Sequence, residues 1–119
     1  MPSELDARAS TRRRRLLLAA AAVAVLLGAC GSASGDAEAL CDVARTVASD
    51  PSIAADRKVQ RVFERFERER SMTSGTRTTL QAAASTDAAT KYRILQQGFL
   101  EQGVDGWTCP ELERLLAPP

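Results

Sequence analysis

The chain has 119 residues, with 16 basic side chains against 15 acidic ones and a formal net charge of +1. That balance gives no electrostatic footprint for nucleic acid. The chain contains no histidine, so it lacks the usual general base near neutral pH and the commonest metal ligand.

The first thirty residues read as a leader. Arg12, Arg13, Arg14 and Arg15 form a positive cluster, Leu16–Leu27 follows without a polar side chain, and Gly28 and Ala29 lead to Cys30. A transmembrane helix needs about 20 apolar residues to cross about 30 Å of hydrocarbon, so this run is too short to span. The order of charge, apolar core and small residues is that of an export signal. Leu27-Gly28-Ala29-Cys30 resembles the lipobox of bacterial lipoproteins, and the resemblance covers residues 8–30. It implies cleavage between Ala29 and Cys30, a thioether from Cys30 to diacylglycerol, and a further acyl chain such as palmitate on the new amine. Two or more chains hold a protein stably at about 0.8 kcal/mol per buried methylene. The expected location is the cell envelope, anchored in a membrane through lipid on Cys30. Gly31 stands where an aspartate favours inner-membrane retention, so the outer membrane is favoured in a Gram-negative cell. Arg13-Arg14-Arg15-Leu16-Leu17 also resembles a twin-arginine signal. The alternative is a secretory signal cut elsewhere, with Cys30 an ordinary thiol.

Residues 1–29 carry five arginines and two acids, which leaves 11 basic and 13 acidic side chains in 30–119, a net charge of −2. A domain of this size buries a modest core, and its aromatic residues are Phe63, Phe66, Tyr92, Phe99 and Trp107. With Cys30 lipidated, Cys41 and Cys109 remain. Two leftover cysteines in an exported chain read as one disulfide. The bridge would span 68 residues, worth roughly 4 kcal/mol in the chain-entropy model. Free thiols or an intermolecular bridge are the alternatives. No metal site is expected, since two distant cysteines do not complete a tetrahedral set.

In chain order, residues 30–35 read as a flexible lipidated tether and 36–119 as a helical domain. Asp36 is placed to cap a first helix over 37–49, with Leu40, Val43, Ala44 and Val47 on one face. Asp50-Pro51 ends it. A second helix is expected over 56–70, with Val59, Val62, Phe63 and Phe66 as its apolar stripe. Its interleaved charges include Glu64–Arg68 and Glu67–Arg70 pairs and favour a solvated face over a basic stripe for anionic headgroups. A third helix over 76–84 would rest on Leu80, Ala83 and Ala84, weakened by its threonines. Ser85-Thr86-Asp87 can cap a fourth helix over 87–102. That helix carries Tyr92, Leu95 and Phe99, with Gly98 allowing close packing and Gly103 suiting the C-terminal end. Thr108-Cys109-Pro110-Glu111 reads as a capping box for a fifth helix over 109–116 with Leu112, Leu115 and Leu116. The fold expected is all-α, a small antiparallel bundle of four to five helices stapled by one disulfide.

No catalytic motif is present: there is no GxSxG, P-loop, GxGxxG or HExxH. No catalytic residue, cofactor or metal ligand is therefore assigned, and the protein is read as a non-enzyme. Tyr92, Lys91, Arg93, Glu101, Asp105 and Trp107 form the most polar-aromatic cluster, with Tyr92 and Trp107 expected in the core. A lone carboxylate pressed against an apolar stripe, from Glu64, Asp87 or Glu101, is the sharpest enzymatic alternative. The leading expectation is a lipid-anchored envelope protein with a structural or protein-interaction role and an envelope protein as partner. The alternative is a small ligand- or peptide-binding module using an interhelical groove. The domain also loosely resembles small helical lipoproteins of GC-rich bacteria that have no known activity.

Overall fold

Ser32, not Asp36, starts the first helix. In the computed structural model, which describes residues 31–118, helix α1 runs Ala33–Ala48 and the Ser32 hydroxyl accepts the Gly35 N–H at 2.9 Å. The expected signal, with Ala29 and Cys30, lies outside the described residues. Residues 33–35 are therefore helical and do not belong to a flexible tether. Ser32 satisfies one of the open N–H groups of the first turn, and an acidic Asp36 in that turn complements the helix dipole.

A 3₁₀ turn, Ala55–Arg57, leads into α2, Lys58–Glu69. Helix α3 spans Ser74–Ala84, two residues longer at its start than expected, because the Thr73 hydroxyl accepts the Thr76 N–H at 3.1 Å. Helix α4 spans Ala88–Glu101 and is capped by Asp87, whose carboxylate accepts the Thr90 N–H at 2.8 Å. Helix α5 is Pro110–Leu116. Among the described residues there is no strand, so the fold is all-α with five helices.

The core follows the helical spacing of the apolar residues. Leu40, Ala44 and Val47 of α1 meet Val62 and Phe66 of α2, Leu95 and Phe99 of α4, and Leu112 and Leu116 of α5, all essentially inaccessible to solvent. Burying side chains of this size is worth about 1.5–3 kcal/mol each. Tyr92 and Trp107 pack on this core while only partly buried. Trp107 packs against Phe99 with ring centroids 4.9 Å apart and planes tilted by 60°, and its indole N–H donates to the Ala37 carbonyl at 3.0 Å.

Helix α3 reaches the core through residues that count against a helix by propensity. Thr76 and Thr79 are buried beside Leu80 and Ala83, whereas Ala84 is exposed. Gly98 of α4 faces Thr79 so closely that a Cβ there would fall inside the threonine side chain. The expected close approach at Gly98 is thus between α3 and α4. Gly103 takes φ +89° just after α4, and its N–H closes on the Leu100 carbonyl at 2.9 Å, a left-handed end that favours glycine.

Two helix ends are closed by ammonium groups from the following helix. Lys58 donates to the Ala48 carbonyl of α1 at 2.7 Å, and Lys91 donates to Ala83 and Thr86 carbonyls at 2.7 and 2.8 Å. A cation at a helix C-terminus satisfies open carbonyls and complements the dipole.

Cys41 of α1 and Cys109, the residue before α5, form a disulfide with Cα atoms 5.6 Å apart, and both are buried. The capping box expected at this point does not form. Cys109, not Thr108, occupies the N-cap and makes no side-chain capping bond. Its N–H is bonded to the Tyr92 hydroxyl at 2.9 Å, and Glu111 turns toward the disulfide.

Candidate functional site

Among the described residues, the one charged side chain fully buried is Asp36, at 0 % exposure. Its place in the first turn of α1 puts it four residues before Leu40, on the stripe that faces α2 and α3. One carboxylate oxygen accepts Arg70 Nε at 2.7 Å, just beyond the end of α2. The other accepts the Thr73 N–H at 3.0 Å and the Thr76 hydroxyl at 2.7 Å, at the start of α3. Gln102, after α4, accepts the Thr73 hydroxyl at 2.8 Å and donates to Thr76 Oγ1 at 3.2 Å. Burial pushes the Asp36 pKa up, but the hydrogen bonds from Arg70, Thr73 and Thr76 outweigh it, and the carboxyl sits below its ordinary value. A group so held stays ionised and donates no proton near neutral pH. It ties together three helix ends and does not resemble an acid catalyst.

The carboxylates considered as lone catalytic groups lie elsewhere. Glu64, Asp87 and Glu101 are exposed. Glu64 accepts the Gln60 amide at 2.9 Å, Asp87 caps α4, and Glu101 accepts the Gln97 amide at 3.3 Å. The expected Glu64–Arg68 and Glu67–Arg70 pairs are absent among the described residues. Arg65–Glu69 forms instead at 3.9 Å, and Arg70 is drawn to Asp36. A buried, ionised partner outcompetes an exposed glutamate because water screens the surface pair. Asp36 was legible only through register. With Ser32 as cap, the inward stripe of α1 extends back from Leu40 to Asp36.

At the disulfide, Glu111 Oε2 lies 3.8 Å from each sulfur, and Oε1 is 3.7 Å from Arg45 Nε. Cys41, Cys109 and Glu111 bring their ligand atoms within 4.8 Å of one another. With the two sulfurs bonded to each other they offer no thiolate, which is the form that binds metal.

Between α4 and α5 opens a cleft of about 510 Å³ whose lining includes Tyr92, Arg93, Gln96, Glu113 and Leu116. A smaller hollow of about 210 Å³ has Arg93, Leu100, Asp105 and Trp107 on its wall. The polar-aromatic cluster expected from sequence is thus divided. Tyr92 and Arg93 share the larger cleft, and Arg93, Asp105 and Trp107 share the smaller. Lys91 leaves to close α3, and Glu101 lines neither. Leu100, 48 % exposed, stands at the smaller hollow as an uncovered large apolar side chain. Among the described residues every buried side-chain nitrogen or oxygen has a hydrogen-bond partner, as buried polar side chains generally do. No helix among the described residues is long and apolar enough to cross a membrane. No family model, curated protein or solved structure matches this chain.

Proposed function

We propose that this chain is a lipid-anchored protein of the bacterial cell envelope whose helical domain acts by contact with an envelope protein and not by catalysis. The observation that carries the contact reading is the satisfied interior. The buried carboxylate, Asp36, has both oxygens engaged within the domain, and Glu64, Asp87 and Glu101 are exposed. The anchoring reading is supported by Leu27-Gly28-Ala29-Cys30 behind a basic, apolar leader. A lipid on Cys30 would be separated from the first helical cap, Ser32, by Gly31 alone, so the bundle itself would be held at the membrane surface.

Labelling growing cells with a fatty acid tests the anchor. The mature chain should carry label and begin at Cys30, and Cys30→Ser should leave an uncut precursor or an unlabelled soluble form. An unlabelled mature chain beginning at another residue refutes it. A small-ligand or peptide module is the second reading, favoured by the cleft of about 510 Å³ between α4 and α5. Affinity purification from solubilised membranes separates the two. A stoichiometric protein supports contact, and a co-purifying small molecule supports the cleft.

A further inference from the structure

The loop after α1, the 3₁₀ turn and the first two turns of α2 line an open surface hollow of about 320 Å³ whose wall includes Ser52, Ile53, Arg57, Arg61 and Arg65. In sequence these arginines are interleaved with glutamates, which argues for a solvated face of mixed sign. In the fold Glu64 accepts a hydrogen bond from Gln60, and Glu69 pairs with Arg65 at 3.9 Å. The acidic group on the wall, Asp50, accepts the Ser52 N–H at 2.9 Å and the Ser52 hydroxyl at 2.6 Å, and these bonds hold its carboxyl below the ordinary value. Among the described residues Arg57 and Arg61 form no ion pair. With Arg65 paired to Glu69, Arg57 and Arg61 are the guanidinium groups on the wall without a salt bridge.

We propose that this hollow binds the phosphate group of a small molecule. Arginine presents paired N–H donors that suit phosphate oxygens. The hollow exceeds one phosphate in volume, and Ile53 and Ala54 on its wall suit a less polar remainder of the ligand. A soluble phosphate ester and a phospholipid headgroup share this chemistry, and the two arms of the test separate them.

The test uses the full chain in a nonionic detergent, with inorganic phosphate as probe and chloride holding ionic strength constant. Amide resonances of Ser52, Ile53 and Arg57–Arg65 should shift saturably. The double variant Arg57→Gln/Arg61→Gln should weaken the response about tenfold, the loss of two partly exposed charge-assisted contacts, without lowering the melting temperature. No saturable shift, or one undiminished in the double variant, overturns the site. In a second arm, the Cys30→Ser full chain, with and without the two arginine substitutions, is mixed with vesicles of phosphatidylcholine alone or with phosphatidylglycerol. The leader, with Arg12–Arg15, contributes equally to both forms, so equal association of the two forms with the anionic vesicles supports a soluble ester, and weaker association of the substituted form overturns the soluble source in favour of a headgroup.

Discussion

Replacing Asp36 by alanine should be the most damaging polar change in the domain. The substitution removes the acceptor of three bonds, at 2.7, 3.0 and 2.7 Å, and strands Arg70, the Thr73 N–H and the Thr76 hydroxyl. Breaking a buried ion pair from one side costs about 3–5 kcal/mol. Arg70 is 30 % exposed, so water recovers part of its share and the lower end, about 3 kcal/mol, applies. At about 4–8 °C per kcal/mol for a domain of this size, the melting temperature should fall by roughly 12–24 °C. Asp36→Asn keeps the volume and isolates the charge. Because the folded carboxyl titrates below the ordinary aspartate value of 3.8, the unfolded chain takes up the proton first. The contribution of Asp36 is therefore complete above 3.8 and is lost as pH falls toward the folded value. Thermal unfolding followed by circular dichroism should show a wild-type loss below that pH which is smaller in Asp36→Asn. An Asp36→Ala melting temperature within about 4 °C of wild type, less than the shift from 1 kcal/mol, would refute the argument.

Three further outcomes follow from the packing. Gly98→Ala should destabilise the domain by about 1–3 kcal/mol through overlap with Thr79, despite a helix-propensity gain of about 1 kcal/mol; an unchanged melting temperature would mean that α3 and α4 separate freely. Cys41→Ser should lower stability by about 2–4 kcal/mol because the bridge spans 68 residues, which chemical denaturation of the oxidised protein and the variant would measure. Glu111→Gln should speed reduction of the disulfide by dithiothreitol. A carboxylate 3.8 Å from both sulfurs opposes the incoming thiolate and the thiolates released, and equal rates would show that it does neither.

The helices were legible because their apolar residues recur at helical spacing. Leu40, Ala44 and Val47, Val62 and Phe66, and Leu95 and Phe99 all face the core as that spacing requires. Composition misled at the ends of elements. Gly31-Ser32-Ala33-Ser34-Gly35 looks like a linker, yet one serine hydroxyl begins a helix there. Thr76 and Thr79 look like poor helix formers, yet tertiary contacts with Asp36 and Gly98 decide their place. The buried Asp36–Arg70 pair joins residues 34 apart, and no local pattern specifies which arginine of α2 will turn inward. The arginine-lined hollow was hidden for a related reason. Sequence interleaves the charges of α2, and only the loop from Asp50 to Ala54 decides which of them share a wall.

The chain contains two lysines, Lys58 and Lys91, and both ammonium groups are occupied at helix ends. Its outward positive charge is carried by arginine. Reagents and proteases that seek primary amines therefore meet a folded domain whose only side-chain amines are fastening α1 and α3, and modifying either one means first opening a helix terminus.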